Sequence, residues 1–102
     1  EIITSGGKTI YRREIEEVIY HHPSVLEVTV IGVPDEKLGE SIKAVVVPRR
    51  GEKFTDGKII ELCRRNLSDY AVPRSVAVID RLPRNVTGKI LNRVLREKYS
   101  SG

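Results

Sequence analysis

Between Ser41 and Pro48 the chain places Ile42, Ala44, Val45, Val46 and Val47 almost without interruption. A β-branched run without polar alternation reads as a buried strand, and Pro48 ends it because proline has no N–H to give to a ladder. A strand covered on both faces needs partners beside it and helices across it. The rest of the sequence supplies both. Val25–Val33 alternates over part of its length and predicts a second strand, broken by Gly32-Val33-Pro34-Asp35, and Val76–Ile79 predicts a third.

Ile15, Val18, Ile19 and His22 recur at helical spacing and predict a helix over Arg12–His21, stopped by Pro23. Ile59, Ile60, Cys63 and Leu67 form the stripe of a second helix, with Thr55 as its N-cap and an end near Leu67. Ile90, Leu91, Val94, Leu95 and Tyr99 form the stripe of a third, over Ile90–Tyr99. At the start, Ile2-Ile3-Thr4 and Lys8-Thr9-Ile10 flank Ser5-Gly6-Gly7, a pattern for a hairpin or tight loop. Glu36–Glu40 reads as a polar loop or short helical turn, Ser68–Pro73 as a loop, Leu82–Lys89 as irregular, and Ser100–Gly102 as a frayed end or cloning remnant. The expected fold is α+β: a small mixed three-stranded sheet with packed helices plus a short N-terminal β-hairpin, all in one domain.

At 102 residues there is room for one domain with a modest core. The patterned 39% of hydrophobic residues excludes a disordered tail. No apolar run approaches the roughly 20 residues of a membrane span, so no transmembrane segment is expected. Glu1-Ile2-Ile3-Thr4 is no signal peptide. Cys63 is the one cysteine, which excludes an internal disulfide and leaves a zinc cluster short of thiolates; a reducing, cytoplasmic setting fits. Cys63 lies on a helical stripe and is expected in the core. The chain has no initiator Met and starts in what reads as mid-strand, as a piece of something longer would.

The formal charge is +4, and its placement is uneven. Glu1–Ile79 holds 12 basic and 12 acidic residues; Asp80–Gly102 holds six basic and two acidic. The tail is either a solvated helical face or an anion site. In its middle stands Thr87-Gly88-Lys89, a flexible cation beside a glycine and before a helix. Such a lysine is either an ordinary surface residue or one suited to stabilising charge on a phosphoryl group. It is no P-loop, because no glycine stands near Leu82 or Pro83. Ser5-Gly6-Gly7-Lys8 is either a plain turn or a loop that lets a ligand pass close to the backbone. His21 and His22 diverge on a helix, lack ligand partners at suitable spacing, and read as helix-end residues. With no other histidine, a catalytic triad has no support. Phe54 and four scattered tyrosines offer little for base stacking, so no nucleic-acid partner is expected.

Three blocks, in order, carry a resemblance across nearly the whole chain. They are the Ser5-Gly6-Gly7-Lys8 loop leading into Glu14-Ile15-Glu16, the segment Asp69–Pro73, and Leu82–Ile90 with its Gly88-Lys89. Together they resemble the C-terminal domain of adenylate-forming enzymes, the acyl-CoA synthetases and their relatives. The resemblance implies a lid that serves two half-reactions: a carboxylate and ATP give an acyl-adenylate and pyrophosphate, then coenzyme A gives the thioester. It implies that Lys89 is the adenylation lysine, with Thr87 and Gly88 shaping its loop. It implies that Gly6 and Gly7 line the path of the coenzyme A thiol, with Lys8 as a candidate for its phosphates and Glu14-Ile15-Glu16 holding the loop in place. The implied partner is the enzyme's own N-terminal adenylation domain, which would hold most of the ATP site, its Mg2+ and the acyl pocket, with a hinge just upstream of Glu1. Arg12 and Asn92 depart from the family pattern, where many relatives have Pro and Arg. Gly6–Glu17 and Val33–Glu40 look most like medium- or long-chain fatty acyl-CoA ligases. Aryl-CoA ligases and carrier-protein-loading enzymes are the alternatives within the family, and a stand-alone basic nucleic-acid-binding module is the alternative outside it. The domain alone is expected to be inactive.

Overall fold

A computed structural model describes residues 2–100. Glu1, Ser101 and Gly102 lie outside the described residues, and of the expected frayed end Ser100–Gly102 only Ser100 is described, as a helical residue. The elements follow as β1 (Ile2–Ser5), β2 (Lys8–Tyr11), α1 (Arg12–Tyr20), β3 (Val25–Asp35), β4 (Gly39–Pro48), α2 (Asp56–Asn66), β5 (Ser75–Val78) and α3 (Asn92–Ser100), with a 3-10 turn at Asp69–Ala71. β1 and β2 form the hairpin, and the sheet runs β3-β4-β5. β3 pairs with β4 antiparallel and β4 with β5 parallel, so the α+β class and the mixed sheet are as read from the sequence.

β4 is central, and its residues alternate between two cores. Ile42, Ala44 and Val46 join Ile15 and Ile19 of α1, Ile59 and Cys63 of α2, and Ile3 and Ile10 of the hairpin. Val45 and Val47 join Ile31, Leu82 and Leu95 on the other face. Each fully buried Ile or Val contributes roughly 1.5–3 kcal/mol, which explains the unbroken apolar run in β4. Strand periodicity alone would put Val25 on the Ile31 face. A bulge between Val25 and Glu27 inserts Leu26 and returns Val25 to the core with Val30.

Three boundaries differ from the sequence reading by two residues. Gly32-Val33-Pro34-Asp35 does not break β3, which continues through Asp35 and pairs it with Gly39. β3 is an edge strand, where a proline costs no ladder bond when its nitrogen faces away from the partner. A Cβ at Gly32 would fall 2.9 Å from the Glu40 carboxylate, so a side chain there would displace the Glu40 end that accepts from Thr4 N–H. Consequently Glu36–Leu38 alone forms the connection, and β4 starts two residues before Ser41. The third difference is at α3. Ile90 is not helical but forms an antiparallel bridge with Arg84, and Leu91 N–H donates to Pro83 O at 2.8 Å. Ile90, Leu95 and Tyr99 of the expected stripe pack on the Ile31 face, while Val94 is exposed and the start of the stripe is an extended segment.

The β3–β4 turn is organised by Asp35, whose Oδ1 accepts the N–H groups of Lys37 and Leu38, both at 2.9 Å. These bonds favour the carboxylate and hold its pKa below the usual 3.8. A depressed folded value means the stabilisation is complete above about pH 4 and is lost as pH falls through the folded pKa. The melting temperature of the wild type should therefore fall more steeply below about pH 4 than that of Asp35→Asn, which keeps an acceptor but does not titrate. Parallel curves would remove Asp35 as the cause.

Cys63 is fully buried, and burial pushes its thiol up to about 11. It is a core residue, as expected. A disulfide reagent at neutral pH should label it only as fast as the domain unfolds, and fully in denaturant. Rapid labelling of the native protein would contradict this packing.

Candidate functional site

The first candidate loop joins β1 to β2. Ser5 pairs with Lys8, leaving Gly6 and Gly7 as a two-residue connection. Their φ values are +58° and +79°, the left-handed pair that a tight hairpin turn of this type requires and that L side chains resist. Gly6 N–H donates to Leu38 O at 2.9 Å, and Thr4 N–H donates to Glu40 Oε1 at 3.2 Å. The hairpin is thus tied to the β3–β4 turn. A Cβ on Gly6 would lie 3.1 Å from Leu38 Cδ2, whereas one on Gly7 would meet nothing within 4 Å.

Lys8 is exposed, with Nζ 5.1 Å from the centre of the Tyr70 ring, a cation–π distance. Lys8 and Tyr70 line a cleft of about 710 Å³ together with Gly6, Arg64, Asp69 and Arg74. Three cations against one carboxylate make its polar wall suited to anions.

Within Glu14-Ile15-Glu16, Ile15 supports the glycine loop by packing, since it shares one core with Ile3 and Ile10 of the hairpin. Glu16 Oε2 accepts Val30 N–H at 2.9 Å, and Arg12 Nη1 donates to Val30 O at 3.2 Å. These side chains satisfy the outward backbone of edge strand β3 and pin α1 to it. The bonds that hold the glycine loop come instead from Leu38 and Glu40. Arg12 therefore has a local role. So has Asn92, whose Oδ1 accepts from the buried Thr29 hydroxyl at 2.8 Å and ties α3 to β3.

The second candidate loop, Arg84–Ile90, is an ordered turn closed by the Arg84–Ile90 bridge. Asn85 Oδ1 accepts from Thr87 N–H at 3.0 Å, Thr87 Oγ1–H at 2.7 Å and Lys89 N–H at 2.9 Å. Asn85 N–H donates to Lys89 O at 3.0 Å, and Gly88 N–H to Asn85 O at 2.9 Å. Gly88 has φ +91°, which closes the turn. Arg84 Nη1 donates to Gly88 O at 2.7 Å, while its Nη2 pairs with Glu27 on β3. Lys89 is exposed, and Ile90 and Leu91 separate it from α3. The sequence reading missed Asn85 and Arg84. The available signal was an Asn in a Pro-x-Asn-x-Thr-Gly cluster, a residue type that bonds to the backbone two positions on.

The structure keeps the two loops apart. The glycine loop is tied to Leu38, at the turn end of β3, and the lysine loop to Glu27, near its start. The eight residue steps from Glu27 to Asp35 span roughly 26 Å. The hairpin packs on the Ile42 face of the sheet, and Leu82 and Ile90 on the Val45 face. The basic tail is partly neutralised: Arg84 pairs with Glu27, and Arg93 with Glu97 at 3.8 Å. His21 Nδ1 lies 2.7 Å from Glu17 O, and His22 Nδ1 accepts Ser24 N–H at 3.1 Å, so both serve the end of α1. Among the described residues no three His, Cys, Asp or Glu side chains gather as a metal site, and no helix is long and apolar enough to cross a membrane.

Comparison with known proteins gives consistent findings. Residues 14–89 match the family model described as AMP-binding enzyme C-terminal domain. A long-chain-fatty-acid–CoA ligase, FadD13, of Mycobacterium tuberculosis is 48% identical over 99% of this chain and 20% of its own length. A feruloyl-CoA synthase of an Amycolatopsis species is 42% identical over 97% of this chain and 20% of its own. The crystal structure of ATP-bound MatB from Rhodopseudomonas palustris superposes with a TM-score of 0.95 at 36% identity, covering 98% of this chain and 20% of that one. The chain thus spans about a fifth of the length of the curated relatives it matches.

Proposed function

The chain belongs to the family of AMP-binding enzyme C-terminal domains, and on that premise we propose that it is the mobile C-terminal lid of an ATP-dependent acyl-CoA synthetase. In the first half-reaction a carboxylate oxygen attacks the α-phosphorus of ATP, and the bond to pyrophosphate breaks. In the second the coenzyme A sulfur attacks the acyl carbonyl, AMP leaves, and the thiol proton passes to solvent. Lys89 serves the first step, because two anions must meet and a cation between them offsets their repulsion. Thr87 and Gly88 shape the turn that presents it. Gly6 and Gly7 serve the second step by leaving room for the thiol's path, and Lys8 meets the coenzyme A phosphates. The large N-terminal domain is the partner that supplies the remaining ATP contacts, Mg2+ and the acyl pocket. The resemblance of Gly6–Glu17 and Val33–Glu40, with the 48% identical long-chain-fatty-acid–CoA ligase beside it, supports a medium- or long-chain fatty acid as the substrate.

The observation that carries this reading is the separation of the two loops. A lysine loop and a glycine loop on opposite faces and at opposite ends of β3 cannot both face one bound nucleotide. A lid that turns between two orientations lets each work in its own step. The test measures the half-reactions separately in the full-length protein. A Lys89 variant should lose carboxylate-dependent pyrophosphate exchange alone, and a Gly7 variant thioester formation alone. Loss of both steps together in each variant would refute the assignment.

A further inference from the structure

Both main-chain groups of Lys89 are held by one residue. Asn85 Oδ1 accepts the Lys89 N–H at 2.9 Å, and the Asn85 N–H donates to the Lys89 carbonyl at 3.0 Å. The same Oδ1 takes the N–H and hydroxyl of Thr87. Packing contributes nothing here: residues 84–89 are exposed, and Val86 at the tip is fully in solvent. A short exposed segment containing a glycine would otherwise sample many conformations. Its single shape rests on Asn85, on the Arg84 bond to Gly88 O, and on the Leu91 N–H bond to Pro83 O that closes the Arg84–Ile90 bridge.

We propose that Asn85 is a positioning residue for Lys89, fixing the backbone root of the lysine so that its side chain alone must be ordered when a nucleotide is met. This rests on the role given to Lys89 above. Asn85 acts through the lysine and touches no substrate. An amide oxygen suits the task, because it accepts the three donors without placing a negative charge beside a site meant for anions.

The experiment uses the full-length protein with Asn85→Ala, Asn85→Ser and Lys89→Ala. Asn85→Ala should lower kcat for pyrophosphate exchange about 10- to 100-fold, the scale of a catalytic group displaced by an ångström. KM for ATP should stay within about twofold, thioester formation from supplied acyl-adenylate should be unchanged, and melting should stay within about 3 °C. Asn85→Ser should recover part of the rate, since a hydroxyl caps the same turn more weakly. A wild-type exchange rate in Asn85→Ala, equal loss of both half-reactions, a melting loss beyond about 5 °C, or Ser no better than Ala would each overturn the proposal. Lys89→Ala separates the two claims. If it leaves exchange intact, the lysine assignment itself falls. If it abolishes exchange while Asn85→Ala exchanges at the wild-type rate, only the role of Asn85 falls.

Discussion

In the full-length protein, Lys89→Ala should lower carboxylate-dependent pyrophosphate exchange about 100- to 1,000-fold, the usual loss when one preorganised charge donor is removed from a reacting phosphoryl or acyl centre. Thioester formation from supplied acyl-adenylate should continue at the wild-type rate. Lys89 is exposed in this domain, so in isolation its attraction for a phosphate is screened by water and worth only about 1 kcal/mol at contact. The effect grows severalfold only when another surface closes over it and lowers the local dielectric. The domain without its partner should for the same reason turn over no ATP. Lys89→Arg should recover only part of the rate, because a planar fork cannot replace a point charge at a site approached by a flexible stem. Exchange at the wild-type rate in Lys89→Ala would place the catalytic cation elsewhere.

Much of this architecture was legible in the sequence because burial leaves periodic marks. The run Ile42–Val47 required cover on both faces, and α1, α2 and the hairpin lie on one while α3 lies on the other. The Gly6-Gly7 turn was legible for a different reason, since two successive left-handed residues are affordable only to glycine or its few substitutes. What the sequence hid was decided by tertiary contacts between side chain and backbone. Pro34 reads as a breaker until β3 is known to be an edge strand. Glu16 and Arg12 read as a solvated helix face until Val30 is found to present its N–H and C=O to them. The Leu82–Lys89 segment reads as irregular because its order comes from the Asn85 amide and the Arg84 tie, neither of which has a period.

The charge gains meaning from the same contacts. A +4 chain suggests a surface for polyanions. The structure divides its cations: Arg84 is spent on Glu27 and Gly88, Arg93 lies by Glu97, and Lys43 and Lys98 rest against Tyr99. Lys89 is held only through its backbone, and Lys8 stands over Tyr70 at the cleft shared with Arg64 and Arg74. Two small cationic points on different faces suit a lid visiting separate anions better than a continuous groove for nucleic acid.

Gly7→Leu should leave pyrophosphate exchange near wild type and slow thioester formation about 10- to 100-fold, the scale of a misplaced reacting group. Two causes for such a loss can be separated. One is strain, since an L side chain at φ +79° costs about 1–2 kcal/mol. The other is obstruction of whatever passes over the loop. Among the described residues, none beyond its chain neighbours lies within 4 Å of a Cβ at Gly7, so their packing does not exclude a side chain there. Gly51 has φ +80° and the same open surroundings, at a turn far along the chain from both loops. Gly51→Leu should therefore reproduce the stability loss and leave both half-reactions intact. Gly7→Asn completes the set, because Asn tolerates left-handed backbone yet still carries bulk. If obstruction governs, Gly7→Asn slows thioester formation with little loss of melting temperature. If strain governs, Gly7→Asn is nearly as active as wild type, and Gly51→Leu loses as much activity as Gly7→Leu. That second outcome would remove the glycine loop from the thiol's path and leave it a hairpin turn only.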